Sequence, residues 1–179
     1  MIEVELKIAI SNVNEIRRRA SLLGKYKGKQ RKVDDYYTLE SLDRYPKKSL
    51  RVRKLNRAHQ INFKHEWKYE KGVHAKKEVE FNVSDINGFL ALIKDFGYKK
   101  WARKEKITEL YEIAKNLHIE INNVHGLGWF VEVEYLAKPN EIEVARKRVL
   151  LAIKSLGLAK KKPVKEGYTK MLWNKGLVK

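Results

Sequence analysis

The sequence predicts an α+β fold: eight antiparallel strands closed into a barrel, a tunnel with a polar lumen, wrapped by about four helices. Three observations carry that expectation. Most strand-like segments alternate apolar with charged residues, so each has one apolar and one charged face. Like charges recur one pleat apart, as in Arg51 with Arg53 and Glu132 with Glu134. Such a pair, ~7 Å apart, costs roughly 0.6 kcal/mol in water and several-fold more in a low-dielectric interior, where only a multivalent counter-charge sustains it. Finally, amphipathic helices cover an apolar sheet face from one side only. Closing the sheet then gives the charged faces a shared lumen and removes the sheet edges.

The elements follow in order. Ile2, Val4, Leu6 and Ile8 alternate with Glu3, Glu5 and Lys7, an opening strand that sets both carboxylates and an ammonium on one face. Asn12 with Glu15 resembles a capping box, and the helix it starts runs through Ile16, Ala20 and Leu23 to Gly24, read as a C′ glycine. The basic run Lys25–Lys32 reads as a loop or frayed strand start, and residues 34–38 as a strand with Asp34 and Tyr36 in phase. Ser49–Arg53, Gln60–Lys64 and Lys76–Phe81 are strands; they place Arg51 with Arg53, Asn62 with Lys64, and Lys76 with Glu78 and Glu80. Ser84 or Asp85 caps a second helix with Ile86, Phe89, Leu90 and Ile93 on one stripe. Trp101–Ile113 suits one bent strand or two short ones; a regular strand puts Lys104, Lys106 and Thr108 on one face and Arg103 and Glu105 on the other. His118–Asn122 and Phe130–Glu134 flank a Gly126-Leu127-Gly128 turn. Pro139-Asn140 opens the longest helix, and Lys165 leads into a short terminal helix carrying Tyr168, Met171, Leu172 and Trp173.

The totals set bounds. A chain of 179 residues suits a single domain, 1–179, with a sizeable core. A formal net charge of +18 far exceeds the roughly 2–8 units usual for a small domain. It points to polyanionic partners: nucleic acid, an anionic membrane surface, or a polyphosphate. With no cysteine, disulfide and zinc-thiolate chemistry are excluded. Neither a signal-peptide opening nor an apolar run near ~20 residues appears, so a cytoplasmic protein without a membrane partner is expected. Abundant Lys, Glu, Ile and Tyr with two Gln suggest a thermophile.

Glu3-x-Glu5-x-Lys7 at the head of the chain resembles the CYTH proteins, or triphosphate tunnel metalloenzymes. The resemblance continues through Asp34-x-Tyr36-Tyr37, Leu50–Arg53, Asn62–Lys64, Lys76-x-Glu78-x-Glu80, Gly126–Gly128, Phe130–Glu134 and Lys165–Tyr168. It implies a β tunnel that binds a triphosphate with a divalent metal. Carried over by position, Glu3, Glu5, Glu132 and Glu134 are the implied metal ligands for Mg²⁺ or Mn²⁺, whose hard oxygen preference they suit. Lys7, Arg51, Arg53, Lys64, Lys76, Lys104, Lys106 and Lys165 are the implied substrate-binding cations, with Glu5, Glu134 and Lys7 the catalytic set. Three departures stand out. Asn122 replaces a frequent Asp, Lys104-Glu105-Lys106 (or Arg103) stands for Lys-x-Arg, and Gly167 stands where Ser precedes the late Tyr.

The expected activity is metal-dependent hydrolysis of a triphosphate, with tripolyphosphate, ATP or thiamine triphosphate as substrate. The alternative is a class IV-type adenylate cyclase converting ATP to cyclic AMP and pyrophosphate. A basic nucleic-acid-binding module is a third reading, resting on net charge and the Lys25–Lys32 and Lys160–Lys162 runs without a recognition motif. The family also implies a homodimer. Glu78 and Glu80 either pair with tunnel cations or bind metal. His59, His65, His74, His118 and His125 lack metal-ligand spacing and read as structural; His118 alone is phased to join Glu120 in the lumen.

Overall fold

The computed structural model describes residues 1–54, 59–70 and 73–178, leaving aside the side chains of residues 64–70 and 76–78. Its strands are β1 (Ile2–Ala9), β2 (Lys25–Thr38), β3 (Leu50–Lys54), β4 (His59–Glu70), β5 (Val73–Val83), β6 (Lys99–Ala114), β7 (Leu117–Val124) and β8 (Gly128–Ala137). The helices are α1 (Val13–Leu23), α2 (Ile86–Asp95), α3 (Ile142–Ser155) and α4 (Tyr168–Asn174), with a 3₁₀ turn, Pro139–Glu141, ahead of α3. The strands form one strongly curled antiparallel sheet in the order β1-β5-β4-β3-β2-β6-β7-β8, and β1 pairs with both ends of that order. The two seams differ. β1 pairs with β8 along Ile2–Ala9, but among the described residues it pairs with β5 only from Ile2 to Glu5. The sheet is thus curled in a way consistent with the expected tunnel, and among the described residues its β1–β5 seam is the shorter of the two.

The sheet is apolar outside and polar inside. Val4, Leu6 and Ile8 of β1 join Ile119 and Ile121 of β7, Val131 and Val133 of β8, and Ile16, Ala20, Ala145, Val149 and Ile153 of the two covering helices in one core. On β1, Val4 and Leu6 are 1% and 3% exposed, while Glu5 and Lys7 on the opposite face are only 8% and 4% exposed. An exposed sheet face cannot produce that second pair of values. The polar side of β1 is enclosed.

The structure decides several open readings of the fold and corrects one. Of the alternatives for Lys25–Lys32, loop or strand start, the strand holds: it opens the 14-residue β2, paired with β6 from Lys25–Glu112 to Thr38–Lys99. Its cations are answered across the ribbon: Lys27 meets Glu112, Arg31 meets Glu105 and Lys32 meets Glu120. Residues 99–114 form a single strand, whose partners set its phase. The α1 cap at Asn12 forms as expected, its side chain accepting from Glu15 N, and Asp85 rather than Ser84 caps α2. Gly24, however, is extended (φ −152°) rather than a left-handed C′ residue. Glycine is needed there for space, because a Cβ would sit 2.7 Å from the Glu112 carbonyl oxygen on β6.

Gly24→Ala must therefore push α1 away from β6. Overpacking against backbone costs about 1–3 kcal/mol, to be seen as a shift of the urea midpoint with an unchanged slope. Gly24→Ala as stable as the parent would refute the close approach.

Candidate functional site

Cross-strand register builds the lumen as rows of facing side chains. In one row Glu120 of β7 faces Glu132 of β8, which faces Lys7 of β1. One step along, His118, Glu134, Glu5 and His74 face one another in turn across β7, β8, β1 and β5. On the other arc, Asp34 of β2 lies between Arg53 of β3 and Lys104 of β6, and Lys32 lies opposite Lys106. Tyr36, Arg51, Asn62 and Glu80 make a further row. Glutamates thus gather on β7, β8 and β1, and cations on β2, β3 and β6.

The lumen charges are answered both within the basic arc and between the two arcs. Asp34 is fully buried and accepts both Arg53 Nε (2.6 Å) and Nη2 (2.9 Å), while Lys104 Nζ lies 2.9 Å away. Burial disfavours its charge, yet Lys104 and Arg53 outweigh that and hold the carboxyl well below the usual Asp range. Lys106 Nζ donates to Glu120 (2.9 Å) and reaches Glu132 at 3.4 Å, and Lys32 Nζ donates to Glu120 at 2.7 Å. Burial opposes every one of these charges. At Lys106 two carboxylates outweigh it and raise the ammonium pKa; at Lys32, with Glu120 alone, burial wins and lowers it. Glu120, between two lysines, is held low despite its burial. Asn122 Nδ2 donates to Glu132 (2.8 Å) and Glu120 (3.3 Å), and Thr108 Oγ donates to its Oδ1 at 2.7 Å. The amide thus bridges two carboxylates where an acid would add a third negative charge.

One end of the lumen is stopped by Val124, Phe130 and Tyr168, the first residue of α4. The Tyr168 ring is shared by cations from well-separated strands: Lys7 Nζ lies 4.2 Å from its centroid, and Lys104 and Lys106 Nζ each 5.8 Å. Contacts from β1 and β6 on one ring show that the inward faces converge.

Of the expected site residues, Glu5, Lys7, Lys104, Lys106 and Glu132 are buried in this lumen, and Glu3, Glu134, Arg51 and Arg53 are half-buried at its strands. Lys165 does not join them; it is exposed on the segment before α4, next to Val164, whose N–H donates to the Lys7 carbonyl (2.8 Å). The side chains of Lys64, Lys76 and Glu78 lie outside the described residues. Glu80 accepts from Arg51 (3.3 Å) and Asn62 (2.8 Å), pairing with a tunnel cation. Lys32, Asp34 and Glu120 belong to the site and carried no role in the sequence reading. Their signal was present, because Lys32, Asp34 and Tyr36 share one strand phase, as do His118, Glu120 and Asn122.

The donor chemistry fits a hard divalent cation. Glu5 and Glu134 oppose each other, with Glu132 one pleat along and Glu3 at the start of the same face. Among the described residues these acids are not already gathered into a three-ligand cluster, and Glu132 is held by Asn122 and Lys106.

Acid should act through Asp34 and Glu120. Their folded pKa values lie below the unfolded ones, near ~3.9 and ~4.3, so their stabilisation is complete above about pH 5 and lost as pH falls further. Asp34→Asn leaves Arg53 and Lys104 uncompensated, at about 3–5 kcal/mol near neutral pH, and the gap to the parent narrows below about pH 4. Melting temperatures across pH 2–8 measure it; a gap that stays constant would contradict the pairing.

No described helix is long and apolar enough to cross a membrane. The CYTH domain profile matches residues 1–168. A Methanocaldococcus jannaschii protein named "Putative adenylate cyclase MJ0240" is 26% identical over 174 residues, spanning 96% of this chain and 98% of that one. Among solved structures, the PH1819 protein of Pyrococcus horikoshii aligns at a TM-score of 0.81 and 26% identity over 97% of this chain and 99% of its own. The PH1012 protein of the same organism aligns at 0.78 and 27% identity over 94% and 98%. The full-length match, together with a curled sheet whose acidic and basic faces meet inside, establishes that this chain belongs to the CYTH family.

Proposed function

We propose that the chain is a metal-dependent triphosphatase that hydrolyses tripolyphosphate or an organic triphosphate inside the lumen. The observation that carries this reading is the meeting of clustered cations and carboxylates in one enclosed space, where Lys32 and Lys106 reach Glu120 and Glu132, with Glu5 and Lys7 buried beside them. Family membership adds that CYTH proteins act on triphosphates and generally depend on a divalent metal.

Arg51 and Arg53 present planar forks suited to two phosphoryl oxygens each, and Lys7, Lys104 and Lys106 act as point charges. Lys64, Lys76 and Lys165 extend the same role in the proposal. Each cation exchanges a carboxylate partner for a phosphoryl oxygen, and the displaced carboxylates would be answered by the metal cation. Glu3, Glu5, Glu132 and Glu134 would hold Mg²⁺ or Mn²⁺, which when bound supplies neutralisation of the phosphate charge. Glu5 or Glu134 orients water and accepts its proton, and Lys7, facing Glu132 beside them, stabilises the charge that develops on the phosphoryl group.

The name of the Methanocaldococcus jannaschii relative favours a second reading, cyclisation of ATP. There the ribose 3′-hydroxyl takes the place of water, and the site must also seat the adenine. Hydrolysis asks only for water and the phosphate clamp, so it is preferred. A nucleic-acid partner is not needed to account for the lumen charges, and much of the outer basic run on β2 is already paired.

Incubation with Mg²⁺ or Mn²⁺ and tripolyphosphate, ATP or thiamine triphosphate is expected to release orthophosphate, abolished by chelation. Pyrophosphate with cyclic AMP from ATP would instead establish the cyclase. Glu5→Gln is expected to lower turnover by about 10²–10³-fold, the usual cost of one lost transition-state contact, with the circular dichroism spectrum retained. Undiminished turnover would remove Glu5 from the mechanism.

A further inference from the structure

We propose that Tyr168 is a substrate-binding residue whose phenol donates a hydrogen bond to a phosphoryl oxygen of the bound triphosphate, while its ring positions the ammonium groups of Lys7, Lys104 and Lys106. The proposal rests on the triphosphate reading of the lumen and deepens it.

The residue lies where such a role is possible. It opens α4, turns inward and is 6% exposed. Its ring packs edge-on against Phe130 at 5.0 Å between centroids, in the cluster with Val124 and Met171. Phenylalanine would fill that cluster equally well, so the hydroxyl is the feature that needs a reason. Shielded from solvent, it comes near the Glu132 carboxylate but reaches hydrogen-bond geometry with no group among the described residues. Buried hydroxyls are normally satisfied, and one left open beside a charged lumen points to a ligand. A tyrosine phenol is protonated at neutral pH and can donate to an anionic oxygen.

The ring supplies the second half of the argument. Ammonium groups from β1 and β6 share its π-system, at 4.2 Å for Lys7 and 5.8 Å for Lys104 and Lys106. These three cations would repel one another if left to swing freely. A common aromatic surface gives them a fixed place without cancelling their charge, unlike a carboxylate. A phosphoryl group drawn to the three lysines therefore arrives beside a buried hydroxyl that, among the described residues, approaches Glu132 without reaching hydrogen-bond geometry.

The test compares the parent protein with Tyr168→Phe and Tyr168→Leu. Each is assayed for hydrolysis of tripolyphosphate with Mg²⁺ or Mn²⁺, and for melting temperature with and without tripolyphosphate. Tyr168→Phe is expected to lose about tenfold or more in kcat/KM, the usual order for one hydrogen bond to a charged group, and part of the tripolyphosphate-induced stabilisation. Its melting temperature without ligand should match or exceed that of the parent. Tyr168→Leu should lose more, because the lysines also lose their ring. The proposal is overturned if Tyr168→Phe keeps the parental kcat/KM and ligand-induced shift, or if only its ligand-free melting temperature falls. If the parent itself neither hydrolyses nor is stabilised by tripolyphosphate, the triphosphate reading falls, and this one with it.

Discussion

Charge enclosed on one face of strands whose other face is already a hydrophobic core is the constraint from which the site follows. On β1, Val4, Leu6 and Ile8 pack beneath α1 and α3, and Glu5 and Lys7 on the reverse are nearly as well buried. A charge in that position has lost most of its water and must be answered by another side chain or a ligand. Hence Asp34 lies between Arg53 and Lys104, and Glu120 between Lys32 and Lys106. The order of strands around the sheet makes these answers possible, since it sets β2 between β3 and β6, so that Arg53 and Lys104 flank Asp34, and sets β7 beside β6, so that Lys32 and Lys106 reach Glu120.

A lumen balanced in this way meets a ligand by exchange. Bringing in a triphosphate alone would leave the displaced carboxylates buried and unpaired, and bringing in a divalent cation alone would do the same to the lysines. On the proposed function, the two entering together would restore the balance of charge and so tie anion and metal binding to one another. Asn122 modifies that exchange. Its amide, oriented by Thr108, links Glu120 to Glu132 without adding charge. Two facing glutamates are thereby held together before any cation arrives.

The resemblance to the family was legible because inside-out alternation is written locally. Glu3-Val4-Glu5-Leu6-Lys7 and Phe130-Val131-Glu132-Val133-Glu134 each declare two faces, and the structure buries both faces of each. Lys25–Lys32 is ambiguous between loop and strand start because a dense basic run looks solvated; the strand β6 that pairs with it, and the carboxylates of Glu105, Glu112 and Glu120 that answer it, lie some 74 to 88 positions away along the chain. Lys165 is placed by its motif alone, and a motif position does not state which way a side chain turns; here it is exposed. Gly24 has a glycine's usual place after a helix, but its reason is a close approach to Glu112.

By itself the sequence determined which residues share a strand face, the apolar or charged character of each face, the cap of α1, and the family. These depend on periods of a few residues, which steric geometry imposes on any chain. Only the tertiary structure decided which charge answers which: Asp34 with Arg53 and Lys104, Glu132 with Lys106 and Asn122, and three lysines around Tyr168. Partners on different strands meet through register and curvature, and both are set by the packing of the whole sheet, which no local pattern encodes.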